Sequence, residues 1–124
     1  MKSLKPLLIT SILIAAGLAH AEPFTQDAFV NLINSGKPTL VEVHADWCST
    51  CKKQAPITNA LLKLEPYQQI RPLTVDFDKQ KDALKTLRVS KQSTLIVFKN
   101  GKEVGRRLGD TSRDGIENLL KKAI

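Results

Sequence analysis

Residues Ala45–Pro56 read ADWCSTCKKQAP. Cys48 and Cys51, the only cysteines in the chain, stand two residues apart behind Trp47. A pair so spaced serves as a structural clip, as part of a metal site or as a redox centre. From Ser49 to about Leu64 the pattern is helical, with Pro56 inside it, and a proline there predicts a kink. Immediately upstream, TLVEVHA (Thr39–Ala45) is rich in β-formers. Apart from Glu42 and His44 it is apolar enough for a buried central strand.

The pattern continues outward on both sides. Phe24, Phe29, Leu32 and Ile33 share roughly one helical face, with Thr25 as cap and NSGKP as the stop. IRPLTVDF (70–77) predicts the next strand, and KQKDALKTLRV (79–89) a short helix. STLIVFKNGKEVGRRLG (93–109) predicts a hairpin about Asn100-Gly101. TSRDGIENLLKKAI (111–124) closes the chain as an amphipathic helix. Ile116, Leu119, Leu120 and Ile124 form its apolar face, and Thr111 or Ser112 is its cap. Early strands that alternate with helices favour parallel pairing, whereas the hairpin must be antiparallel. The expected product is an α/β fold, a mixed four-stranded sheet with helices on both faces. No repeat, low-complexity tract or internal linker interrupts it.

The first 21 residues differ from the rest. Lys2 and Lys5 precede the apolar run LLITSILIAAGL, which is followed by AHAEP. A basic start, a short apolar run and small residues flanking a cleavage point describe a signal peptide. Cleavage after Ala21 would leave 22–124 as the mature domain. The rival reading, a retained membrane anchor, has only about 18 Å of helix for roughly 30 Å of hydrocarbon. Removing two lysines takes the formal charge of the 124-residue chain from +7 to +5. The remaining lysines are scattered and lack interleaved aromatics, which argues against nucleic-acid binding. Export also bears on the cysteines. A staple gains most by closing a long loop, and this pair encloses two residues. Chemistry is favoured over stapling.

The chain resembles the thioredoxin family over nearly all of its mature length. ADWCSTCK matches A-x-W-C-x-x-C-K. Pro56 falls five residues after the second cysteine, at the family's helix kink. STLIVFKNGKEV tracks the strand-turn-strand before the last helix, and Gly109 takes the place of a glycine near the active-site helix. The resemblance implies a thioredoxin fold and a thiol-disulfide oxidoreductase that needs no cofactor and no metal. With the leader, it implies a periplasmic or secreted member, a monomer acting on exported proteins that carry cysteines or disulfides. Two redox partners stay open: a membrane electron carrier that reduces the dithiol, or an oxidase that refreshes the disulfide. Ser49 and Thr50 match neither the Gly-Pro of common reductants nor the histidine of strong oxidants. They are candidates for tuning, and a reductant is the favoured direction.

Cys48, just ahead of a helix, is the expected attacking and exposed cysteine, since free N–H groups and the helix dipole favour its thiolate. Cys51, one turn further in, is the expected resolving cysteine. Glu42, a carboxyl in an apolar strand, is the expected base behind it, and its alternative is an ion pair with Arg71. His44 lies on the same strand face and is a candidate for tuning. Trp47 is expected to cover one side of the dithiol. Where the family carries a cis-proline facing the cysteines, this chain has Ser93. A trans Gln92–Ser93 bond follows, because a non-proline cis bond costs about 2.5–4 kcal/mol. Gln92 and Ser93 are expected to line a reshaped substrate groove with more open sulfurs, where the Ser93 hydroxyl can reach Cys48. Two other classes stay open: a copper or metal carrier using the thiolates, and a binding module on the same fold.

Overall fold

A computed structural model of the chain describes residues 2–3 and 20–124. Apart from its ends, the expected leader lies outside the described residues. Strand β1 (Glu22–Pro23) is followed by α1 (Gln26–Ser35), β2 (Thr39–His44) and α2 (Ser49–Leu62). A 3-10 turn (Tyr67–Gln69) leads into β3 (Arg71–Asp76) and α3 (Lys81–Leu87). The hairpin β4 (Thr94–Lys99) and β5 (Lys102–Leu108) precedes α4 (Arg113–Lys121).

The strands form one sheet in the order β1-β3-β2-β4-β5. β1, β3 and β2 run parallel, while β4 and β5 are antiparallel. The sheet therefore has five strands, not the expected four. The extra one is two residues long and docks on the edge of β3, continued by the Phe24 N–H donating to the Thr74 carbonyl at 2.8 Å. Two residues carry no alternation to read, and Pro23 at a sheet edge has no N–H to give. Phe24 thus precedes its helix instead of lying on it. Thr25 caps α1, with its hydroxyl oxygen accepting from the Ala28 N–H. Phe24 packs on Phe29 at 5.4 Å between ring centroids, an apolar clasp across the cap.

Side-chain alternation along β2 divides the core into two layers. Leu40 points with Leu61, Leu62, Ile116, Leu119 and Leu120 toward α2 and α4. Val41 and Val43 join Leu73, Val75, Leu84, Leu87 and Phe98 on the side of α1 and α3. Glu42 follows the parity of Leu40 and so faces α2. The hairpin turns at Asn100 and Gly101, whose φ angles of 51° and 79° are the two positive values a type I′ turn requires. A bulge between Val97 and Phe98 interrupts the β4–β5 register, and β5 is left as a charged outer edge with Lys102, Glu103, Arg106 and Arg107 exposed. Pro56 lies within α2 without ending it. Among the described residues no helix is long and apolar enough to cross a membrane.

Candidate active site

β2 ends at His44, and the chain makes a short turn before α2 begins. Cys48 is the N-cap of α2, with φ −85° and ψ 108°. Its sulfur accepts from the Cys51 N–H at 3.1 Å, in place of the usual capping oxygen. Negative charge at this sulfur would sit at the positive end of a 14-residue helix. Cys48 and Cys51 are paired as a disulfide, with Cα atoms 5.3 Å apart.

Both cysteines are buried, at 3% and 2% exposure, which corrects the expectation of an exposed Cys48 and more open sulfurs. The cause is Ser93. Its hydroxyl oxygen lies 3.0 Å from the Cys48 sulfur and 3.2 Å from that of Cys51. Ala45 and Phe77 pack around the same pair. The Gln92–Ser93 bond is trans; among the described residues the sole cis bond is Glu65–Pro66. Gln92 is partly buried beside it.

Glu42 sits opposite Thr74 on β3 and Leu95 on β4. Its carboxylate accepts from the Thr58 hydroxyl at 2.7 Å. Burial raises its pKa above the ordinary carboxylate value. The Thr58 hydrogen bond, the nearby His44 and Thr74 offset part of that rise. Glu42 and Cys51 line one cavity of about 290 Å³, together with His44, Gln54, Asn59 and Thr74. Arg71 is not its partner: it approaches Glu22 at 3.7 Å.

His44 turns to Asp46, with Nε2 3.3 Å from Oδ1. Trp47 is 60% exposed. Its Nε1–H donates to Asp78 at 2.9 Å, and its ring meets Phe77 edge-on. Phe77 in turn packs against Ala45 and the two cysteines. Ser49 is exposed and Thr50 half-buried, both in the first turn of α2. Among the described residues no group of three or more His, Cys, Asp or Glu side chains is placed to hold a metal ion.

A thioredoxin family model matches residues 20–122. The chain belongs to the thioredoxin family. Thioredoxin from Chlamydia muridarum is 39% identical over 98 residues, covering 79% of this chain and 93% of that protein. The crystal structure of Trxlp from Edwardsiella tarda superposes with a TM-score of 0.79 at 42% identity, over 82% of this chain and 98% of that one. Oxidised mitochondrial thioredoxin 3 of Saccharomyces cerevisiae gives a TM-score of 0.71 at 25% identity, over 82% and 93%. With the Cys48–Cys51 pair at the mouth of α2, this family member is a thiol-disulfide oxidoreductase.

Two residues of the site escape the sequence pattern. Gln54 and Thr58 lie on the buried stripe of α2 with Cys51, Leu61 and Leu62. Gln54 donates to the carbonyls of Ser93 and Asp110, and Thr58 serves Glu42. Their i, i+3 and i, i+7 spacing from Cys51 was the available signal, since polar residues on an apolar stripe need partners.

Proposed function

We propose that this member of the thioredoxin family is exported and reduces disulfides in exported proteins. The observation that carries the reading is Cys48 as the N-cap of α2 with Cys51 one turn inside. The Cys48 thiolate attacks one sulfur of a substrate disulfide and forms a mixed disulfide, and the other substrate sulfur leaves as a thiolate. Cys51 gives its proton to Glu42, attacks the Cys48 sulfur and releases the substrate's second thiolate. The substrate gains two electrons and the protein is left as its disulfide. A carboxyl whose pKa is raised by burial is suited to taking that proton near neutral pH. Trp47, which is exposed, and Gln92, which is half-buried, would with Ser93 meet the substrate in this reading.

Named thioredoxins among the relatives support the reducing direction, as does the absence of a histidine before Cys51. A basic start, an apolar run and AHA before Glu22 support a cleaved leader, and the family match begins at residue 20. A membrane electron carrier would then return the disulfide to the dithiol, with the protein acting as a monomer.

Equilibration with glutathione tests the direction. A potential near about −270 mV supports a reductant, and one near about −120 mV overturns that role. Cys51→Ser should accumulate a mixed disulfide through Cys48, visible by mass spectrometry. Faster alkylation of Cys51 than of Cys48 in the reduced protein would reverse the assigned roles. N-terminal sequencing of protein from a fractionated cell should begin at Glu22 and come from the exported fraction; an intact N-terminus overturns cleavage.

A further inference from the structure

Ser93 adopts φ 64°, in the left-handed region that few non-glycine residues enter. Such a conformation persists where the surroundings over-determine it. Three main-chain hydrogen bonds do so here. The Ser93 N–H donates to the Val43 carbonyl at 2.8 Å. Its carbonyl accepts from the Gly109 N–H at 3.0 Å and from Gln54 Nε2 at 3.2 Å. Gln54 is itself buried and also donates to the Asp110 carbonyl at 2.9 Å, which ties the loop to α2 and to the approach of α4. With the backbone fixed and the oxygen between the two sulfurs, the freedom left to the side chain is rotation of its hydroxyl hydrogen about the Cβ–Oγ bond. Its hydroxyl is held within reach of both sulfurs.

A hydroxyl has one proton to donate. A disulfide or thiol sulfur accepts it weakly, and a thiolate accepts it strongly. We propose that the Ser93 hydroxyl is a shared donor that follows the negative charge from one sulfur to the other during the exchange. In the reduced protein it donates to the Cys48 thiolate. Once Cys48 is bound in the mixed disulfide, its sulfur carries no charge. The hydroxyl hydrogen then swings about the Cβ–Oγ bond to the Cys51 thiolate as that group forms, with the oxygen staying in place between the two sulfurs. Cys51 attacks the Cys48 sulfur, the bond from Cys48 to the substrate breaks, and the electron pair leaves with the substrate thiolate.

Because the donor stabilises a thiolate more than a disulfide, it favours the reduced protein. It lowers the pKa of Cys48 and makes the couple more oxidising than the same frame without a hydroxyl. The protein remains on the reducing side, as a milder reductant. This rests on the thiol-disulfide reading above.

The test uses the full chain with Ser93→Ala and Ser93→Gly. Both lack the hydroxyl, but glycine tolerates the positive φ and alanine does not. Alkylation rate against pH should show the Cys48 half-point about one pH unit higher in both variants. The equilibrium constant with glutathione should move about tenfold toward the protein disulfide in both, or about 30 mV more negative. Melting temperatures should differ between the two variants, which separates backbone strain from the hydroxyl effect. An unchanged half-point and constant in both folded variants, or a movement in the opposite direction, overturns the donor role and leaves the oxidoreductase reading intact. A wild-type protein with no reversible two-electron couple overturns both. If the alanine variant does not fold, the glycine variant decides alone.

Discussion

At the scale of single residues, Glu42 ties the working chemistry to stability. Burial raises its pKa, so in the folded protein it keeps its proton to higher pH than in the unfolded chain. Between the ordinary carboxylate value and the raised one the unfolded state binds fewer protons, and stability falls as pH rises. Glu42→Gln should remove that fall and be more stable than the parent at neutral pH. Melting temperature against pH checks it, and parallel curves for the two proteins would refute it. The same variant should slow resolution of the mixed disulfide more than its formation, read by stopped-flow fluorescence of Trp47. Glu42 was legible in the sequence because a carboxyl in TLVEVHA breaks an apolar strand. The identity of its partner was not, because Thr58 comes to it from another element sixteen residues along. Ser93 was legible only as a departure from the family pattern. That its hydroxyl sits between two sulfurs, and thereby closes the site expected to open, depends on a backbone conformation the sequence does not announce.

At the scale of elements, the start of α4 shows how caps and loops cooperate. Asp110 accepts from the Ser112 N–H at 2.8 Å and the Ser112 hydroxyl at 2.7 Å, and it also accepts from Arg107 at 3.1 Å. These bonds, the Ser112 hydroxyl first, hold its carboxyl below the usual pKa. Ser112 in turn caps α4, accepting from the Gly115 N–H. A Cβ on Gly115 would collide with the Asp110 carboxylate and crowd the Ser112 hydroxyl. Gly115→Ala should therefore destabilise the protein by about 1 kcal/mol net, even though alanine is favoured in a helix interior by a similar amount. A drop of roughly 4–8 °C in melting temperature is expected, and an unchanged or higher value would refute the collision. The Ser112 cap, the Asn100-Gly101 turn and the Thr25 cap could all be read from local chemistry, because each is closed within a few residues. β1 could not, since its only support is a strand some fifty residues distant.

At the scale of the whole molecule, the layered α/β arrangement was legible because each strand and helix carries its own period. Alternation and helical spacing agree with the turn chemistry between them. What local patterns leave open is the order of strands and the manner in which a sheet ends. This sheet ends in two different ways. β1 is two residues long and contains a proline, and β5 is bulged at its pairing with β4 and studded with charge. An unpaired strand is a template on which another copy can grow, and brevity, proline, bulges and charge each spoil the template. Lys102→Thr with Arg107→Thr should leave the bulge and remove the excess positive charge of this border. Light scattering should then rise with concentration and time, and a variant that stays as dispersed as the parent would refute the idea. The outermost strands thus act as bumpers that keep neighbouring copies from docking edge to edge in a crowded solution.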